Sequence, residues 1–158
     1  MGGYLSTPEQ AEELGTIEYV NLDKALRHGD MEKALAIAKE TGKPLFCNFV
    51  EWEGCQGCKD AGKIFSDLRI KRVAEELFVP CAFNTWDRFE DDYNEPMKRW
   101  GGRLRLSDGG YLRIVDSEGE NVIAETRGLN GIESFDEVRD TIVEALKTLG
   151  KEVPDYMP

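Results

Sequence analysis

Leu45-Phe46-Cys47-Asn48-Phe49-Val50-Glu51-Trp52-Glu53-Gly54-Cys55-Gln56-Gly57-Cys58-Lys59 is the stretch on which the reading of this chain turns. An apolar run leads, through four residues, into Cys-x-x-Cys and then into Ala61, Ile64, Phe65 and Leu68 at helical spacing. A run that is apolar almost throughout predicts a strand covered on both faces. The dithiol therefore falls where a strand hands over to a helix. A helix N-terminus has unpaired N–H groups and a partial positive charge, and both stabilise a negatively charged sulfur. Cys58 lies three residues before Ala61, on the same helical face, and is predicted to point inward. Cys55 is predicted to cap the helix and to meet solvent. That is the geometry of thiol–disulfide chemistry.

Outward from this stretch, the elements alternate. Asp23 to Arg27 predicts a short helix ending at His28-Gly29. Asp30 caps a clearer helix, in which Met31, Ala34, Leu35 and Ala38 repeat at i, i+3, i+4 and i+7, and Gly42 with Pro44 stops it. After a break near Asp67, Ile70, Val73, Ala74 and Leu77 continue helically. Phe78–Phe83 reads as a strand, and its Pro80 assigns it to a sheet edge or to a strand start. Asp87, Glu90, Asp91, Asp92 and Glu95 form an acidic stretch before a short helix that ends at Trp100-Gly101-Gly102. Tyr111–Asp116 and Val122–Thr126 read as a hairpin. Ser134 and Glu137 make a capping box for a last helix, whose face carries Phe135, Val138, Ile142, Leu146 and Leu149 before Gly150. A strand–helix–strand unit implies a right-handed parallel crossover. The class is α/β, a central mixed sheet with helices on both faces.

The whole chain of 158 residues suits one domain with its own core. Lys and Arg number 20 and Asp and Glu number 31, a net charge of −11. Such a field repels nucleic-acid phosphates and anionic lipid surfaces, so neither nucleic acid nor membrane is expected as a partner. No stretch reaches the roughly 18–20 apolar residues of a membrane span. Met1–Gly15 shows no basic region followed by an apolar run, which favours the cytoplasm; an exported protein given without its signal is the alternative. Met1-Gly2-Gly3-Tyr4-Leu5-Ser6 formally fits a myristoylation pattern and is read as a tail. Four cysteines, at 47, 55, 58 and 81, are too few for a disulfide scaffold. Cys47 and Cys81 lie in apolar strands and are read as small buried hydrophobes, with a second redox pair or a thiolate metal site as the other readings. No metal ligand set and no cofactor is assigned, because only one cysteine pair is closely spaced. The single His28 is read as a surface residue.

The chain resembles the thioredoxin-like superfamily, in particular its bacterial and archaeal branch with a longer helical insertion. Four stretches carry the likeness: Ala34 through Pro44, with its Gly-Lys-Pro entry to the first core strand; Trp52–Lys59, similar to the Trp-(Cys-x-x-Cys)-Lys turn; Phe65 through Pro80; and Val115-Asp116-Ser117-Glu118-Gly119, similar to the Asp-x-x-Gly hairpin. Residues 21–150 then form a thioredoxin-like domain, residues 1–20 an N-terminal extension and residues 151–158 a tail. The resemblance implies that Cys55 attacks a disulfide of a protein partner, or accepts attack as half of a disulfide, and that Cys58 resolves the mixed disulfide. Trp52 and Gly54 shape the mouth and Lys59 adds positive charge near the sulfurs; Trp52 also reads as plain packing, and Lys59 as a solvated helix position.

Two positions depart from the family pattern. The cis-proline usually found opposite the dithiol falls at Gly110, within Ser107-Asp108-Gly109-Gly110-Tyr111. The buried Asp of thioredoxins proper falls at Asn48, which cannot act as a base. The supporting residues of the site are thus expected to be Trp52, Gly54, Lys59, Gly110 and Tyr111. The expected activity is thiol–disulfide exchange. The alternative is a non-catalytic thioredoxin-like binding module, which takes a protein partner or captures a soft metal with its dithiol.

Overall fold

A computed structural model of the chain describes residues 11–23, 29–51, 55–85, 95–101, 110–127 and 131–157. The elements in order are α1 (Met31–Thr41), β1 (Leu45–Val50), α2 (Gln56–Phe65), α3 (Leu68–Leu77), β2 (Val79–Asn84), a π-helical turn at Met97–Gly101, β3 (Tyr111–Val115), β4 (Val122–Glu125) and α4 (Phe135–Thr148). The helices start where the sequence supplies a capping oxygen. Asp30 accepts from the Lys33 N–H at 3.1 Å, Asp67 from that of Arg69 at 2.8 Å and Ser134 from that of Glu137 at 3.2 Å. Such caps satisfy N–H groups that have no partner within the helix. Gly42 ends α1 in the left-handed region, at φ 71°.

The sheet order is β2-β1-β3-β4. β1 runs parallel to β2, with Leu45 opposite Val79 and Val50 opposite Asn84. β3 runs antiparallel to both β1 and β4. The fold is therefore α/β, with an open, mixed four-stranded sheet. Pro80 sits on an edge strand, as its missing donor requires.

Every residue of β1 is buried. Its alternate side chains enter two different cores, which is why its sequence shows no polar–apolar alternation. Phe46 joins Leu112, Ile114, Phe65, Ile70 and Ile142 beneath α2, α3 and α4. Leu45, Cys47 and Phe49 join Ala34, Leu35, Ala38 and Trp100 beneath α1. Phe46 meets Phe65 edge-to-face at 6.0 Å. Burial of such a ring contributes about 1.5–3 kcal/mol, and a well-placed aromatic pair ~0.5–1.5 kcal/mol more.

The two end segments pack against this frame. Leu14 and Ile17 are buried, Val20 donates its N–H to Pro80 O at 2.9 Å, and the Asn21 side chain both donates to Ala82 O at 2.9 Å and accepts from Ala82 N at 3.0 Å. Residues 11–21, assigned from sequence largely to an extension, thus pack on α2 through the turn at 12–14 and cover the free edge of β2 through Val20 and Asn21. An uncovered edge is a template for pairing with another chain. At the other end Met157 is buried, and the Arg72 guanidinium lies 4.2 Å from the Tyr156 ring centre. Both segments escape sequence reading because irregular chain carries no period. The expected helix at Asp23–Arg27 beyond its first residue, His28, and most of the acidic stretch 87–95 lie outside the described residues. Among the described residues, no helix is long and apolar enough to cross a membrane.

Candidate active site

β1 delivers the chain to the dithiol. Its last residue, Val50, accepts from the Thr85 N–H at 3.0 Å, which ties this corner to the end of β2. Cys55 has extended backbone (φ −69°, ψ 118°) and caps α2. Its Sγ accepts from the Cys58 N–H at 3.2 Å, and its carbonyl accepts from the Lys59 N–H at 3.0 Å. Cys58 Sγ in turn accepts from the Glu51 N–H at 3.4 Å. Cys55 is half-buried, whereas Cys58 is sealed among Ala11, Leu14, Val50 and Ala82. One sulfur is thus open and the other tucked beneath it, as the helical spacing predicts. Both are free thiols. Burial pushes the Cys58 thiol well up, and its hydrogen bond to Cys55 adds to this, while the Glu51 N–H opposes both.

The supporting residues divide. Gly110 is buried at the entry to β3, and a Cβ there would stand 3.2 Å from Ala61 Cβ and 3.3 Å from Val50 Cγ1. It therefore sits against the helix that carries Cys58. No peptide bond among the described residues is cis. Tyr111 pairs with Phe49 and packs with Trp100 and Phe83, on the opposite face of the sheet from Cys58. Strand alternation turns neighbours to opposite faces, so the Tyr111 side chain does not reach the corner where Gly110 packs on α2. Lys59, half-buried, lines a shallow groove of about 330 Å³ with Glu12, Thr16 and Lys63. Trp52 and Gly54 lie outside the described residues.

Asn48 is fully buried, on the same face of β1 as Phe46 and Val50. Its Nδ2 donates to the Tyr19 hydroxyl at 2.9 Å, and that hydroxyl donates to Leu14 O at 2.9 Å. Burial pushes the Tyr19 phenol up, against the Asn48 hydrogen bond that lowers it. Asn48 Oδ1 has no hydrogen-bond partner among the described residues. Sequence reasoning missed Tyr19, whose segment carries no pattern. On the other face, Cys47 and Cys81 place their sulfurs 3.4 Å apart. Among the described residues, no three His, Cys, Asp or Glu side chains gather as a metal-binding group.

Fold and site together define an α/β protein with a Cys-x-x-Cys dithiol at a strand–helix junction. No protein-family model matches the chain, and a search of curated proteins finds no match either.

Proposed function

We propose that the chain is a thioredoxin-like thiol–disulfide oxidoreductase that acts on a protein partner. One observation carries the reading. The half-buried Cys55 sulfur sits at the cap of α2, held by the Cys58 N–H at 3.2 Å, and the buried Cys58 lies directly behind it. The sheet supports the reading: a parallel β1–β2 pair, an antiparallel β3 and β4, and a dithiol beyond the C-terminal end of β1.

The chemistry follows from the two environments. Cys55 sulfur attacks one sulfur of the partner's disulfide, forms a mixed disulfide and releases the partner's other sulfur as a thiolate. Cys58 then attacks Cys55 sulfur, the mixed disulfide breaks, and the second partner sulfur leaves. The dithiol gives up two electrons, which the partner's disulfide accepts. Burial of Cys58 shields it from solution disulfides, so only Cys55 makes the first contact.

The test is turnover with a soluble aryl disulfide and with a disulfide-bonded protein. Cys55→Ser is expected to abolish turnover, whereas Cys58→Ser is expected to accumulate a mixed disulfide at Cys55. Turnover that survives Cys58→Ser unchanged removes the resolving role. A Cys55–Cys58 pair that never closes in oxidising buffer overturns the proposal in favour of the binding module.

A further inference from the structure

The sheet face opposite the Cys55–Cys58 site carries a second pair of thiols. Cys47 and Cys81 are register partners on the parallel strands β1 and β2. Their sulfurs lie 3.4 Å apart, and both residues have zero exposure. Paired strands run about 4.7–4.9 Å apart, within the ~4.4–6.8 Å Cα separation that a disulfide spans. Bringing the sulfurs from 3.4 Å to bonding distance therefore needs side-chain rotation rather than strand movement. On its other side Cys47 is the register partner of Arg113, itself only 5% exposed. Arg113 Nε lies 3.0 Å from Glu125 Oε2, close enough for an ion pair though not aligned as a hydrogen bond. A row of Cys81, Cys47, Arg113 and Glu125 thus crosses the whole sheet. A buried guanidinium is costly in an apolar cluster, and here it stands next to the one thiol pair that the dithiol site does not use.

We propose that Cys47 and Cys81 form a second dithiol, which a small peroxide converts into a disulfide joining β1 to β2. Cys47, beside Arg113, attacks a peroxide oxygen as its thiolate. The O–O bond breaks, one water leaves and the sulfur becomes a sulfenic acid. Cys81 sulfur attacks that sulfur, the S–S bond forms, the S–O bond breaks and a second water leaves. The dithiol loses two electrons and hydrogen peroxide gains them; the thiol and peroxide hydrogens end in the two waters. Zero exposure selects the oxidant. A protein disulfide or glutathione disulfide cannot reach the pair, whereas hydrogen peroxide, little larger than water, enters through local opening. Burial pushes the Cys47 thiol well up, contact with Cys81 adds to this and Arg113 opposes it, so the reaction at neutral pH is slow.

The proposal is independent of the function assigned to Cys55 and Cys58, and the test removes that pair. The folded full-length Cys55→Ser/Cys58→Ser variant is incubated with excess hydrogen peroxide, or with glutathione disulfide, and read by intact mass and peptide mapping. Peroxide is expected to remove two hydrogens from the chain and to link the peptides that hold Cys47 and Cys81, reversibly by dithiothreitol; glutathione disulfide is expected to leave the mass unchanged. Oxygen added to either cysteine without the link, a glutathione adduct, a link formed only in denaturant, or no reaction with peroxide overturns it. Where the double variant loses its cooperative melt, the unaltered chain is mapped by peptide fragmentation alone: a 55–58 link stays within one tryptic peptide, a 47–81 link joins two and is placed at Cys47 by fragment ions, and modification at Cys55 or Cys58 does not count for or against the proposal.

Discussion

Gly62→Ala tests how the N-terminal segment holds the helix that carries Cys58. Gly62 lies inside α2, where alanine is intrinsically favoured over glycine by about 1 kcal/mol. The structure opposes that gain. A Cβ at position 62 would stand 2.1 Å from Glu12 O, with carbons of Glu12 and Glu13 at 3.0 and 3.1 Å. The oxygen is more than an ångström inside ordinary contact and belongs to backbone, so the turn at residues 12–14 has to move. Leu14, 3% exposed, then loses its cover at a cost of ~1.5–3 kcal/mol. The Tyr19 hydroxyl loses its bond to Leu14 O, a further ~0.5–1.5 kcal/mol. Set against the helical gain, the variant is less stable by about 1–3.5 kcal/mol, a fall in Tm of roughly 2–14 °C for a chain of this size. Thermal denaturation followed by circular dichroism, on fully reduced protein, measures it. Proteolysis within residues 11–20 is expected to accelerate in parallel. A Tm that rises by a few degrees, as helix propensity alone requires, refutes the packing of this segment on α2.

Three further outcomes follow from the same structure. With limiting iodoacetamide, Cys55 is expected to be alkylated before Cys58, Cys47 and Cys81, since it alone is not fully buried; equal labelling in the folded protein contradicts the placement. Asn21→Ala leaves Ala82 N and O without their side-chain partner at the edge of β2 and is expected to cost about 1–3 kcal/mol in urea denaturation, with increased self-association seen by light scattering; an unchanged midpoint argues against the edge cover. For Asp116, burial alone would raise the carboxyl, but donors from Glu120, Asn121 and Gly119 together hold it below its ordinary 3.8. Its folded value is depressed, so its contribution is complete above the ordinary value and is lost as pH falls through the folded one. The stability gap between the native chain and Asp116→Ala is therefore expected to be constant from pH 7 to 5 and to shrink below about pH 4; a gap independent of pH down to 2 refutes the assignment.

Much of the site was legible because dithiol chemistry is local. Cys55 and Cys58 are three residues apart at a helix start, and the same spacing that shows the motif also fixes which sulfur is capped and which is buried. Helix caps such as Asp30, Asp67 and Ser134 are equally local. Gly110 and Tyr111 show the boundary. Their adjacency in sequence grouped them as supporting residues, and strand alternation sent them to opposite sides. The Tyr19–Asn48 bond joins residues 29 apart, with no pattern at either end to announce it.

By itself the sequence determined the α/β class, the alternation of strands with helices, and the junction at which the two close cysteines fall. These depend on periodicity and end chemistry, which act over a few residues. The parallel β1–β2 pair and the β3–β4 hairpin were also legible from the sequence. Only the tertiary structure decided that β3 lies beside β1, that Val20 and Asn21 cover the edge of β2, and that Cys47 meets Cys81 while Arg113 flanks them. Those are pairings between distant segments, set by which apolar faces bury one another in the assembled sheet, and a linear string of residues does not specify register across strands.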